Sequence, residues 1–323
     1  MRVLTEAQKR QFAEEGYLLV EDLLDPEKDI QPILDEYAVV LDGIANKLYA
    51  DGTIGSKYAS LPLMERLVAV CAESGQNFPQ HFDFSLPQTG IKLDTPIHVG
   101  PAVFNTLAHP RMLDMAEDLM GPEIYSNPVQ HIRFKLPARA VAKGSYNGLV
   151  SKIPWHQDNG VIMPEADESS ILTVWLPLTN ATIPNGCLQV VPGSHRDGLT
   201  QHCPGPFGIA IPDQLVATQE AVAVEMRPGS ALLMTQRTVH SSLDNVTDDD
   251  VRISMDLRYQ PIGQPTGRPA FAAAGFNARS SAHPETVVRD PAVWAENWYK
   301  TRAALADDSQ AFNRWKAGEN GCA

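Results

Sequence analysis

Apolar and polar positions follow two different periods along this chain, and the change comes near residue 122. Before it the spacing is helical. Thr5 with Gln8 three residues later makes a capping box, opening a helix that carries Phe12 inward and stops at Gly16. Tyr17 to Val20 is a short β-type run. Ile30, Ile33, Leu34, Tyr37, Leu41, Ile44 and Leu48 then make one helical stripe. Pro32 sets its start and Asp51-Gly52 its end. Ser60-Leu61-Pro62 starts a helix through Cys71, and Pro110 to Met120 forms another, closed by Gly121. Beyond that the period becomes two, with His131, Arg133 and Lys135 alternating against Ile132 and Phe134. Strands are predicted within Glu123–Leu136, then over Ser170–Leu178, Gly186–Val191, Val222–Met226, Ala231–Thr235 and Arg252–Gln260. Many short strands with Gly/Pro turns suit a jelly roll, mainly β with flanking helices, buttressed by the helical N-terminal part. Asp290 to Lys316 reads as helical, with Trp294, Trp298 and Trp315 as packing residues. One domain is expected over 1–323: a helical part to about 121, a β core over about 122–262 and a helical extension over about 285–318.

Three stretches keep no period. Residues 75–107, with Phe78, His81, Phe82, Phe84 and His98, read as packing or as a pocket wall. Residues 137–153 are long for a loop inside a domain and run straight into the site described next, as a flap would. Residues 199–215 are rich in Pro and Gly and read as a second loop at the mouth.

Composition narrows the partners. The 323 residues hold 39 acidic and 26 basic side chains, a net charge of −13. That argues against nucleic acid or an anionic membrane surface. Cys71, Cys187, Cys203 and Cys322 are scattered with no close pair, which reads as free thiols in a reducing compartment. The N-terminus shows no apolar leader and no run reaches membrane-spanning length. A cytoplasmic protein is expected.

The candidate chemistry centres on Pro154-Trp155-His156-Gln157-Asp158-Asn159-Gly160. On an extended strand residues two apart share a side, so His156 and Asp158 converge on one point. An imidazole and a carboxylate there suit Fe(II), Mn(II) or Zn(II); they also suit two hydrogen-bonded neighbours at a strand end. With His240 as third ligand the set becomes two His and one carboxylate, the facial triad of non-haem Fe(II) oxygenases. Arg252 shares the face parity of His240 if the strand returns through Asp248-Asp249-Asp250, and a guanidinium there grips a carboxylate. Gln130, His131 and Arg133 fall on a strand whose one face looks into a barrel, either as cosubstrate or substrate contacts or as a solvated face. Asn159 beside the ligands and Tyr146 on the flap are further candidate substrate contacts.

His156-Gln157-Asp158, Asn185-Gly186 with Pro192-Gly193-Ser194-His195, and the pair His240 and Arg252 together resemble the phytanoyl-CoA dioxygenase family. The opening from Leu4 to Val20 extends the likeness over most of the chain. The resemblance implies a double-stranded β-helix (cupin-like) fold and an Fe(II)- and 2-oxoglutarate-dependent oxygenase that releases succinate and CO₂ while oxidising a small molecule with O₂. It implies Fe(II) on His156, Asp158 and His240. It also implies 2-oxoglutarate held by Arg252 and Ser242, with Gln130 and Trp175 as further contacts, and a structural role for the turn carrying His195. Related halogenases carry a small residue at the position of Asp158, so the carboxylate points to hydroxylation, desaturation or ring formation. The acidic balance weighs against an acyl-CoA substrate of the phytanoyl-CoA type, which stays an alternative. So do a non-oxidative cupin-type enzyme using Zn(II) or Mn(II), and a binding module without catalysis.

Overall fold

In the computed structural model, which describes residues 2–141, 152–205, 208–306 and Asp308, Phe312, Arg314, Trp315, Gly318 and Cys322, the change of period is a change of layer. The capping box forms with both of its bonds at the start of α1 (Glu6–Glu15), and Gly16 ends it with φ +76. After β1 (Tyr17–Val20) a π-helical turn over Pro26–Ile30 leads into α2 (Gln31–Ala50). The apolar stripe of α2 is its buried face: Ile33, Tyr37, Leu41, Ile44 and Leu48. Four shorter helices follow, α3 (Leu63–Ser74), α4 (Pro79–Phe82), α5 (Pro101–Leu107) and α6 (Pro110–Met120).

The strands make two facing antiparallel sheets. The larger uses β1, β2 (Ile124–Ser126), β3 (His131–Lys135), β4 (Leu172–Pro177), β9 (Ala231–Thr235), β11 (Arg252–Pro261) and β12 (Phe276–Arg279). Its order is β1-β9-β4-β11-β2-β12, with β3 alongside the other part of β11. The smaller is β10-β5-β8, from β5 (Leu188–Val190), β8 (Val222–Val224) and β10 (His240–Ser242). This is the expected jelly roll. Period-2 alternation gives the large sheet two apolar faces. Val174, Leu176, Leu233, Ile253, Met255 and Leu257 pack with α2 and the other helices. Trp175, Leu232 and Met234 point the other way, onto Leu188, Val190 and Val224 of the small sheet. Between those inner faces the candidate ligands lie.

Several expectations need correction. The C-terminal helix α7 (Pro291–Leu305) ends well short of residue 316, and Trp315 lies beyond it. The 199–215 stretch is not only loop: β6 (Cys203–Gly205) and β7 (Gly208–Ala210) form a ribbon inside it. The four cysteines are not all thiols. Cys203 and Cys322 form a disulfide across 119 residues, with Cα atoms 5.4 Å apart. A pairing that long leaves no trace in local spacing. Cys71 and Cys187 remain free and buried, and burial pushes each thiol up to about 11. Of residues 75–107, Phe82 and Phe84 are core, and His98 pairs with Glu36 at 3.0 Å. No helix among the described residues is long and apolar enough to cross a membrane.

Trp294 and Trp298 are packing residues as expected, each fully buried, with Trp298 edge-on to Phe271 at 5.8 Å. Truncating a buried Trp removes its burial and leaves a cavity. Trp298→Ala is therefore expected to cost about 3–5 kcal/mol in urea denaturation. A loss under about 1 kcal/mol would show that α7 lies outside the cooperative core.

Candidate metal centre

The site is made where the chain between the sheets meets β10. His156 and His240 form an isolated antiparallel bridge, each backbone N–H donating to the other's carbonyl at 3.0 Å. The backbone at Gln157 is extended, φ −111 and ψ 141, and Asp158 then opens a 3-10 turn, Asp158–Val161. So His156-x-Asp158 is not on a regular strand, but one extended residue between the two suffices to aim both at the same point. Ligand atoms of His156, Asp158 and His240 all lie within 4.8 Å of one another, and all three residues are buried. His156 Nε2 stands 3.9 Å from Asp158 Oδ1.

Both imidazoles are oriented from behind. His156 Nδ1–H donates to Pro154 O at 2.9 Å, and His240 Nδ1–H to Thr238 O at 3.0 Å. A carbonyl only accepts, so each Nδ1 carries the proton and each Nε2 lone pair faces the gap. Burial, then the neighbouring His240, lowers His156 to about 3, so its ring is neutral at physiological pH. Burial alone would raise Asp158. Arg258, the two histidines and Thr173 outweigh it and hold the carboxyl well below the usual range. Arg258 Nη2 donates to its Oδ1 and Thr173 Oγ1 to its Oδ2. Two free imidazole nitrogens and a fixed carboxylate fit one divalent cation with sites left open.

A second polar group lies deeper. Arg252 on β11 is 1% exposed. It donates through Nε and Nη2 to Gly186 O and through Nη1 to Ser254 Oγ at 2.6 Å. Its guanidinium lies 5.3 Å over the Trp175 ring. No carboxylate among the described residues is ion-paired with it. Trp175 Nε1–H, buried on the same cavity wall, has no hydrogen-bond partner. A buried cation beside an unmatched donor fits an anionic ligand. Lys135 sits opposite Arg252 in the β3–β11 register, its Nζ donating to Ser242 Oγ at 2.6 Å and to Leu243 O. Burial and then Arg252 push it down to about 6.

The profile of the family described as phytanoyl-CoA dioxygenase (PhyH) matches residues 12–254. The chain belongs to this family. A phytanoyl-CoA dioxygenase domain-containing protein 1 from Danio rerio is 23% identical over 269 residues, covering 77% of this chain and 87% of that protein. A phytanoyl-CoA dioxygenase from Arabidopsis thaliana is 31% identical over 103 residues, 31% of this chain and only 36% of the relative's length. Among solved structures, the apo non-heme monooxygenase ThoJ is 19% identical, covers 94% of this chain and 98% of its own, and superposes with a TM-score of 0.57. The non-heme alpha-ketoglutarate-dependent carbocyclase SnoK, from nogalamycin biosynthesis, is 19% identical with a TM-score of 0.50, covering 80% of this chain and 85% of its own. At such identities the two structures establish the fold. In this member of the family, His156, Asp158 and His240 are the one group of ligating side chains among the described residues placed to hold a metal ion.

Within this member of the phytanoyl-CoA dioxygenase family, Arg133, Trp175 and Arg252 line one cavity with the triad. Among the described residues, the other candidates do not. Ser242 is two residues from His240 as read; its Oγ accepts from Lys135 Nζ and from Ile153 N–H at 2.9 Å, which leaves its O–H as a donor. Gln130 is buried with its side-chain oxygen unpartnered, outside the cavity wall. His131 is held by Asp83, Nδ1 to Oδ2 at 2.8 Å. Asn159 is scaffold: its amide bonds Asp167 Oδ1 at 3.2 Å and its N–H bonds Gln236 O. His195 bonds Ala13 O, far in chain terms from any ligand role. Tyr146 and residues 142–151 of the flap lie outside the described residues. The parity argument for Arg252 fails although the residue lines the same cavity: β10 and β11 belong to opposed sheets, not to one hairpin. Missed altogether were Thr173, Asp256, Arg258 and Lys135. Asp256 and Arg258 share the face of Arg252 at even spacing on β11, a signal that was available. Asp256 accepts from Arg133 Nε, which makes the cavity wall a run of alternating charges.

Proposed function

We propose that this chain is a 2-oxoglutarate-dependent non-haem iron dioxygenase that oxidises a polar small molecule rather than a CoA thioester. The observation that carries the reading is the buried triad with both Nδ1 atoms engaged, set on the same cavity as a buried arginine that has no carboxylate. His156, Asp158 and His240 would hold Fe(II). Arg252 would take the distal carboxylate of 2-oxoglutarate, and Trp175 Nε1–H is a free donor beside it. Bound iron and 2-oxoglutarate supply oxygen activation coupled to decarboxylation to succinate. The chain's own residues orient and shelter. Arg258 and Thr173 fix the carboxylate of Asp158, which keeps the ligand geometry independent of solvent. Ile153, Leu188, Trp175 and Met234 give the cavity an apolar lining that disfavours water there. Arg133 and the neighbouring Asp256, which pairs with it, add a polar stretch to the same cavity, which favours a substrate carrying hydroxyl or charged groups. A net charge of −13 disfavours a polyanionic one. Succinate formation from 2-oxoglutarate that is lost on chelation and restored by Fe(II) tests the reading; a metal-dependent turnover that Zn(II) supports without forming succinate would instead mark a non-oxidative metal enzyme.

The same arrangement has a pH signature. Lys135, at about 6, is largely neutral near pH 7.5 while the anion site is empty. A dicarboxylate beside Arg252 favours the charged ammonium, so 2-oxoglutarate binding should take up a proton there. Affinity is then highest below about pH 6, where Lys135 is already charged, and falls as pH rises above it. Calorimetry in two buffers of different ionisation enthalpy reads the uptake. Lys135→Met should remove it, and zero uptake in the parent would show that Lys135 does not sense the cosubstrate.

A further inference from the structure

We infer that the chain's C-terminal tail is a disulfide-locked strap that positions the His156–Asp158 segment, so that the redox state of Cys203–Cys322 sets the affinity of the triad for its metal. This rests on the iron-site reading. The metal-ligand segment is gripped from two sides. On one side is the loop before β6. His202 is fully buried; its Nδ1–H donates to Thr200 O at 2.7 Å, which leaves Nε2 to accept the N–H of Gln157 at 2.9 Å. Gln157 stands between two ligands. Its side chain donates to Gly198 O and Arg237 O and accepts from Thr200 N–H. The ring of His202 lies so close to Gly160 that a Cβ there would come within 2.2 Å of it.

On the other side is the tail. Trp315 stacks on His202 with ring centroids 5.6 Å apart, and its Nε1–H donates to Gly160 O at 2.6 Å. Arg314 donates to Ile162 O at 2.8 Å and pairs with Asp167 at 2.9 Å. Cys322 then closes the strap covalently onto Cys203, the neighbour of His202. Upstream, Phe312 is buried against Phe271 with ring centroids 5.3 Å apart; beyond it, and among the described residues, the tail is held besides that bond by the Trp315 stack, the hydrogen bonds to Gly160 O and Ile162 O and the Arg314–Asp167 ion pair. Each of these is individually weak. Breaking the disulfide frees the tail beyond Phe312 and uncovers His202, and the segment that aims His156 and Asp158 loses its backing. Cys203 is only half-buried, so a thiolate can reach it. The step is an exchange with a dithiol: the Sγ–Sγ bond takes two electrons and two protons to give two thiols, and the dithiol closes to its own disulfide. Trp315 and His202 are thus positioning residues that touch no ligand atom.

The test compares the full-length oxidised protein, the same protein reduced with a phosphine and freed of it, and the Cys203→Ser/Cys322→Ser double variant. The phosphine leaves as its oxide with an oxygen from water. Anaerobic titration with Fe(II) alone reads affinity, and limited trypsin digestion reads release of the tail. Reduction and the double variant should each weaken Fe(II) binding roughly tenfold or more, as loss of outer support at metal sites does, and should speed cleavage near Arg314. Trp315→Phe, which keeps the stack and loses the N–H, should weaken binding less than Trp315→Ala with the disulfide intact. A disulfide that only stabilises the fold would lower the melting temperature and leave Fe(II) affinity unchanged; that result overturns the strap, and so does a tail that stays protected after reduction. Fe(II) binding in no state overturns the iron-site reading itself, and this one with it.

Discussion

Asp158→Ala is expected to abolish iron binding and turnover, and also to destabilise the fold by about 3–5 kcal/mol, more than loss of a ligand alone would give. The reason is Arg258. It is 4% exposed, and among the described residues its Nε has no partner and its one ion pair is with Asp158. Removing the carboxylate leaves a guanidinium buried and uncompensated. Asp158→Asn keeps an acceptor for Arg258 and should lose iron with a smaller loss of stability. The parent's own dependence on pH has a fixed sign. The folded carboxyl of Asp158 lies below its unfolded value, so its contribution is complete above about pH 4 and is lost only as acid carries the pH down toward the folded value. Urea denaturation of the metal-free proteins decides the matter: an Asp158→Ala variant as stable as the parent would mean that the Arg258 pair contributes nothing.

Arg252→Ala is expected to raise the KM for 2-oxoglutarate about tenfold to a hundredfold, with a much smaller change in the KM for the substrate. A charge-assisted contact of this kind contributes about 1.5–3 kcal/mol. The structure adds that Arg252 also holds Gly186 O and Ser254, so Arg252→Lys should recover only part of the loss, keeping the charge without the fork. An unchanged KM for 2-oxoglutarate in Arg252→Ala would move the anchor to Lys135 or Arg133, the other cations of that region.

The triad was legible because its chemistry is local. His156 and Asp158 are two residues apart, and His240 lies in a run with the right neighbours for the family. The apolar stripe of α2 and the two-residue alternation of β3 were legible for the same reason, since period alone fixes which side is buried. What could not be read is whatever depends on the closure of the two sheets. Arg258 reaches Asp158 across 100 residues and Lys135 reaches Ser242 across 107. Those contacts exist only because β11 pairs with β4 and β3 while β10 pairs with β5. Arg252 was named from its residue type and its distance from His240, through a hairpin that does not exist; the structure puts it on the same cavity as the triad. The disulfide and the tail escaped altogether. Trp315 continued an aromatic spacing begun by Trp294 and Trp298, but the helix that carries those two stops at Leu305, and Trp315 packs on His202 instead.

The most direct measurement is an anaerobic titration of the metal-free protein with Fe(II) in the presence of 2-oxoglutarate, followed in the visible region. The account predicts a weak charge-transfer band that saturates at one iron per chain, requires both components, and is absent in His240→Ala. No band in the parent, or a band that survives in His240→Ala, would contradict the assignment of this centre.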